Sequence, residues 1–220
     1  MKKELYSPLR VPNLGYVDQS SNDDLIGLLE ESGVRANIDQ ANWPEYPYKP
    51  LTTFSLAHTD KWLYIDFFVR CNFLRAMNYE TNAPVCEDSA VAMSIQTDLS
   101  SPKFYGLEFN CIGTCAGYVF EPGCEPKPIE PAVLESIKVY PSCGKKPFRE
   151  LEGLFSWNIL VGIPLELIGL TDLTFPVAVK GNFYKCASGT QQPHFLSWQP
   201  VSTTAPDFNS QESFKEIILE

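Results

Sequence analysis

Two histidines, seven cysteines and 27 acidic residues are the groups in this 220-residue chain with the greatest capacity for chemistry. No Ser, Cys or Asp beside His58 or His194 completes a nucleophile motif such as a Gly-x-Ser-x-Gly elbow, so a catalytic triad is not expected. Glycoside hydrolysis would need two carboxylates flanking a sugar. Neighbours such as Glu87 and Asp88 point to opposite faces of a strand, and their spacing assembles no such pair. The glycine-rich stretch GTCAG, Gly113 to Gly117, lacks the lysine and the following helix that a phosphate cradle requires.

The cysteines are Cys71, Cys86, Cys111, Cys115, Cys124, Cys143 and Cys186. An odd number at irregular spacing is unlike a disulfide framework, so mostly free thiols packed as small apolar groups are expected. CIGTC lacks a matching second pair at zinc-knuckle spacing, and no metal site is predicted. The aromatic residues are more suggestive. Sugar C–H faces stack on indole and phenol rings, while amides and guanidinium groups meet the hydroxyls. NFYKCASGTQQPHFLSWQP supplies Asn182, Tyr184, Gln191, Gln192, His194 and Trp198 in one short span, although for any one of these rings core packing outweighs ligand contact.

The elements that must position these groups are mostly strands. Asn22 or Asp23 can cap one short helix, with Leu25, Leu28 and Leu29 on one face and Gly33 at its end. From Leu51 the period changes to two. In KWLYIDFFVRC, Leu63, Ile65, Phe67 and Val69 share one face and Trp62, Tyr64, Asp66 and Phe68 the other, as in a central strand. Further strands are predicted at SAVAMSIQT, KFYGLEFNC, CAGYVFEP, LESIKVYPS, GLFSWNILV, FPVAVKGNFYKC and FKEIILE, giving eight or nine with LTTFSLA. A helical turn is expected at Pro164 to Gly169. ANWPEYPYKP, Ala41 to Pro50, reads as an extended lid or brace, and EPGCEPKPIEP as an exposed loop.

Together these predict an all-β, antiparallel sandwich with one or two short helices, residues 1–220 forming a single domain. The formal net charge of −10 makes nucleic acid an unsuitable partner. No window approaches the about 20 apolar residues of a membrane helix, so no membrane is expected. MKKELYSPLRVP lacks the apolar stretch of a signal peptide, from which a cytoplasmic location is expected. The oligomeric state is not legible.

GNFYKC, PHFLSWQP, APDF and the closing FKEIILE resemble the carboxy-terminal signature of a bacterial subgroup of carbohydrate-binding module family 9. ANWPEYPYKP, LYIDFFVR followed by LRA, VCEDSAVAMSI and YGLEFNCIGTC agree in order and separation, so the resemblance spans roughly residues 37–220. It implies an immunoglobulin-like sandwich that binds saccharides without catalysis, in a family often attached to xylanases and sometimes holding structural calcium; no other cofactor is implied. Family members clamp a terminal sugar with two tryptophans and hydrogen-bond it through a glutamate in a Trp-x-x-Asp-Ser-Val-Glu-like segment. Here that segment is Cys86-Glu87-Asp88-Ser89-Ala90-Val91-Ala92, with Cys86 at the tryptophan position and Ala92 at the glutamate position.

The resemblance leaves Trp198, Asn182, Arg75, Asn110 and Asp88 as candidate ligand-binding residues, with no catalytic residue among them. The leading expectation is a saccharide-binding module that stacks sugar on Trp198. One rival is a sandwich that has lost sugar binding and acts as an interaction or structural protein, motivated by Cys86 and Ala92. Another is a glycan-processing enzyme using Glu108 and Asp88.

Overall fold

The computed structural model of the protein describes residues 7–17 and 20–220. In chain order the elements are β1 (Leu9–Val11), α1 (Asn22–Ser32), β2 (Val34–Asn37), β3 (Leu51–His58), β4 (Trp62–Ala76), β5 (Ala90–Gln96), β6 (Phe104–Asn110), β7 (Cys115–Phe120) and β8 (Lys127–Pro128). There follow α2 (Pro131–Leu134), β9 (Lys138–Pro141), β10 (Phe148–Pro164), β11 (Val177–Ala187), β12 (His194–Ser197) and β13 (Lys215–Leu219). The strands form two packed sheets, the all-β sandwich expected from the alternating pattern.

One sheet is ordered β2-β3-β4-β10-β9. β4 lies centrally, as its two apolar faces require. Leu63, Ile65, Phe67 and Val69 on its inner face are essentially inaccessible. The other sheet is ordered β1-β13-β11-β5-β6-β7-β8, with β12 also paired to β11. Its inner residues, Val91, Met93, Leu107, Phe109 and Phe183, join those of β4 in one core, where Phe54 and Phe183 meet at 4.2 Å between ring centroids.

Several details differ from the sequence reading. β1 pairs with β13 in parallel, so the sandwich is not wholly antiparallel. In LESIKVYPS only the second half is a strand. Pro131 opens the short helix α2, and Leu134 seats so closely that a Cβ on Gly117 would lie 2.6 Å from its Cδ2.

The cap of α1 is Ser21, not Asn22 or Asp23: its Oγ accepts from Asp24 N at 3.2 Å, while Asp24 Oδ2 accepts from Ser21 N at 3.1 Å. Gly33 ends the helix with an extended φ of −71°, so a left-handed conformation is not what demands glycine. A Cβ there would sit 2.6 Å from Leu29 O. Leu25 and Leu29 pack with Ala57, Tyr64 and Leu160, so α1 covers part of the outer face of the five-stranded sheet. The turn expected at Pro164 to Gly169 is a single 3-10 turn, Leu165–Ile168.

The loop 41–50 is a brace that reaches both sheets, β12 of the eight-stranded one and β4 of the five-stranded one. Trp43 is buried and its Nε1 donates to Thr203 O at 3.0 Å, Tyr46 packs edge-on to Phe195, and Tyr48 Oη accepts from Asn72 N at 2.7 Å.

Candidate functional site

Register decides which side chains share the outer face of the eight-stranded sheet. Across β11, β5, β6 and β7, the residues Tyr184, Ala92, Glu108 and Ala116 stand in one row. Phe208 stacks on Tyr184 at 4.2 Å between centroids, and Phe195 from β12 meets Phe208 at 6.3 Å. Beside these rings opens a pocket of about 200 Å³, walled by Glu108, Phe195, Phe208, Asp207, Pro206, Asn209 and Cys86.

Burial pushes the Glu108 carboxyl up to about 7. No described side chain or backbone N–H donates a hydrogen bond to it. A carboxylate beside two phenyl rings, lacking an internal donor, suits a ligand that brings hydroxyl donors and apolar C–H faces together.

Cys86 and Cys186 form a disulfide across the pocket wall, a correction to the expectation of mostly free thiols; Cys71, Cys111, Cys115, Cys124 and Cys143 do remain free. Ser188 N and Gly189 N donate to the carbonyls of Cys86 and Glu87, both at 2.9 Å, laying the turn after β11 against the Cys86 segment. A Cβ on Gly189 would lie 2.8 Å from Glu87 O and 2.9 Å from Arg75 Nη1, so only glycine fits this approach.

Three of the candidates read from the sequence converge, as a buried network behind this segment. Asp88 Oδ1 accepts from Arg75 Nη1 at 2.7 Å and Met77 N at 2.9 Å; its Oδ2 accepts from Asn78 N at 2.9 Å and Asn110 Nδ2 at 3.0 Å. Asn110 also donates to Asn78 O, and its Oδ1 accepts from Ile112 N and Thr114 N. Asp88 and Asn110 are wholly buried, and every hydrogen-bonding position on their side chains is taken within the protein. They tie the loops around residues 77–78 and 110–114 to the Cys86 segment, and contact with a ligand is closed to them.

Asn182 lies apart from this network. Its Nδ2 donates to Gln199 O at 3.1 Å and its Oδ1 accepts from Gln199 N at 3.0 Å, while Ser213 lies within hydrogen-bond reach. This holds the 199–213 loop, which carries Phe208, onto the sheet. Trp198 is part of the core edge instead of the pocket: its ring packs against Phe54 and Phe183 at 6.1 and 5.7 Å.

Sequence reasoning weighed Glu108 only for hydrolysis and passed over Phe195 and Phe208. Both rings stood within the quoted segments PHFLSWQP and APDF, but nothing local distinguishes them from core aromatics. A larger cleft of about 560 Å³ borders Trp62, whose ring carries Lys138 Nζ at 3.9 Å and stacks on Tyr64, so neither contact leaves it free for a sugar.

Both histidines are buried. His58 is bonded through its two nitrogens to the Thr59 and Glu220 carbonyls, and burial holds His194 well below the usual imidazole range.

A two-sheet β-sandwich with an aromatic-walled, carboxylate-bearing pocket on one outer face suits a carbohydrate-binding module. The chain belongs to carbohydrate-binding family 9, whose model matches residues 25–219. Its fold superposes with a TM-score of 0.91 on a protein of Bacteroides uniformis ATCC 8492 named as a candidate carbohydrate-binding protein, at 28% identity over 97% of this chain and 99% of that one. A family 9 module of Caldicellulosiruptor kristjanssonii in complex with glucose is similar in fold at a TM-score of 0.53 and 13% identity, covering 97% and 96% of the two chains. A cellotriose complex of a family 9 module from the same organism gives 0.53 and 12%, covering 97% and 94%. The chain matches no curated protein significantly.

Proposed function

We propose that this protein binds a saccharide in the Glu108 pocket without turning it over, taking one sugar unit against the rings of Phe195 and Phe208 with its hydroxyls on the carboxylate. The observation that carries this reading is Glu108 itself, a carboxylate held at a pocket beside two rings, with no hydrogen-bond donor among the described residues. The pocket's size supports a single sugar unit, such as the end of an oligosaccharide. Glucose and cellotriose, the ligands of the C. kristjanssonii modules, are the first to try.

Calorimetric titration with both sugars tests it. Saturable binding that Glu108→Gln and Phe208→Ala each weaken at least tenfold, with Trp198→Ala acting on stability, is the expected result. A flat response to about 10 mM, weaker than about 3 kcal/mol of binding, would overturn it.

Hydrolysis is a second reading, favoured by the raised pKa of Glu108 and by Asp207 in the same pocket. Asp88, the partner considered from the sequence, is removed from that role by its burial. No release of nitrophenol from nitrophenyl glycosides is expected. The Cys86–Cys186 disulfide favours an oxidising compartment over the cytoplasmic location expected from the amino terminus.

A further inference from the structure

The opposite surface of the sandwich carries polar chemistry that the Glu108 pocket does not use. α1 covers only part of the outer face of the five-stranded sheet. Beyond it lies a cleft of about 560 Å³, more than twice the volume of the Glu108 pocket at about 200 Å³. Two rows of the sheet form its floor. Arg35, Ser55 and Asp66 stand side by side on β2, β3 and β4; Asn37, Thr53, Phe68 and Asn158 do so on β2, β3, β4 and β10.

Asp66 is the unusual member. Only 7% of its surface is exposed, yet its one hydrogen bond among the described residues is from Asn158 Nδ2 to Oδ1 at 3.2 Å, leaving Oδ2 without a donor at the cleft. Burial pushes its carboxyl up to about 6, against the lowering effect of Asn158; Glu30 raises it further and Arg35 opposes. Its Oδ2 opens to the cleft and can accept from a hydroxyl that a ligand brings.

Two residues along β4, on the same face and about 7 Å away, the Phe68 ring is 39% exposed. An apolar ring and an acceptor-only carboxylate on one floor, with the Arg35 guanidinium paired to Glu30 at 3.9 Å and two amides and two hydroxyls around them, match a neutral polyhydroxylated ring. A divalent cation would find two carboxylates, Asp66 and Glu30, the second already paired with the Arg35 guanidinium, short of the about six oxygens it needs. An anion would face Asp66.

We propose that this cleft is a second saccharide-binding site, separate from the Glu108 pocket and long enough for more than one sugar unit, with Phe68 stacking one ring and Asp66, Asn158 and Arg35 holding its hydroxyls. The two sites lie on opposite outer faces of the sandwich, so one molecule could bridge two glycan chains.

Nitrogen–proton NMR titration with xylose, galactose and cellotriose tests the proposal in the wild type and in Glu108→Gln, Asp66→Asn and Phe68→Ala. The Asn158 side-chain amide and the Phe68 signals shift saturably in the wild type and in Glu108→Gln. Asp66→Asn and Phe68→Ala each weaken this response at least tenfold while leaving shifts at Phe195 and Phe208 in place. Asp66→Asn also melts higher than the wild type at pH 7, which separates lost binding from lost folding.

Shifts confined to Phe195 and Phe208, with Asn158 and Phe68 unmoved to about 10 mM sugar, overturn the second site and leave the first standing. Movement at Asn158 and Phe68 alone overturns the pocket reading and upholds this one.

Discussion

Glu108 stands directly opposite Ala92 in the antiparallel pairing of β5 and β6. By the family resemblance Ala92 stands at the position of a glutamate, and the adjoining strand here carries a carboxylate beside it, on the same face. Neighbouring strands lie about 4.8 Å apart, a displacement that a small shift of ligand would accommodate.

Saccharide affinity should therefore follow the ionisation of Glu108. The carboxylate is the better hydroxyl acceptor, so binding weakens as pH falls through about 7, and Glu108→Gln removes that dependence. The stability effect has the opposite sign. Because the folded-state pKa is raised, the charged form is disfavoured on folding, and stability falls as pH rises from the ordinary carboxylate range through about 7. Calorimetry at pH 5.5 and 8, with thermal melts at the same two values, checks both.

Asp88 is expected to be the most sensitive single position behind the pocket. Its four donors satisfy a carboxylate with no exposure, so Asp88→Ala leaves Arg75 and two backbone N–H groups without their acceptor and costs about 3 to 5 kcal/mol. Arg75→Leu removes the cationic partner of the buried carboxylate, which keeps its three other donors, and costs about 3 kcal/mol, the low end of that range. Urea denaturation followed by circular dichroism gives both values.

Cleavage of the Cys86–Cys186 disulfide should lower stability by about 2 to 4 kcal/mol, since the crosslink joins residues separated by 100 positions. Thiol titration of the unfolded, unreduced protein should count five groups, rising to seven after reduction. Seven before reduction would refute the crosslink.

Lys185 offers a test in the core. It is wholly buried, its Nζ donates to Cys186 O at 2.7 Å, and burial lowers its pKa to about 8. With a folded pKa below the unfolded value, the penalty is complete below pH 8 and is relieved as pH rises towards 10.5. Lys185→Met should stabilise the protein by about 2 to 3 kcal/mol at pH 7. That advantage should shrink by pH 9.5. Comparing the two proteins at each pH cancels the titration of the cysteine thiols, which burial shifts as well.

The sequence alone determined the period of each long strand and hence its two faces. Leu63 to Val69 had to face a core, and Trp62 to Phe68 had to face outward, because side chains alternate along an extended chain whatever lies across from them. The same local logic located α1, the brace at 41–50, the turn after Pro164 and the family resemblance. Residue type also marked Asp88, Asn110 and Asn182 as groups needing partners, but not whether those partners would be protein or ligand.

Tertiary structure decided that. Asp88 is completed by residues from 75 to 110, and Asn182 by Gln199 and Ser213, contacts that no local spacing encodes. Pairing across β5, β6 and β11 likewise set Glu108 in a row with Ala92 and Tyr184, and the 199–213 loop, returning over that row, brought Phe208 beside it. Alternation tells which face a residue occupies. Only the closure of distant strands, loops and the Cys86–Cys186 crosslink tells what stands there with it.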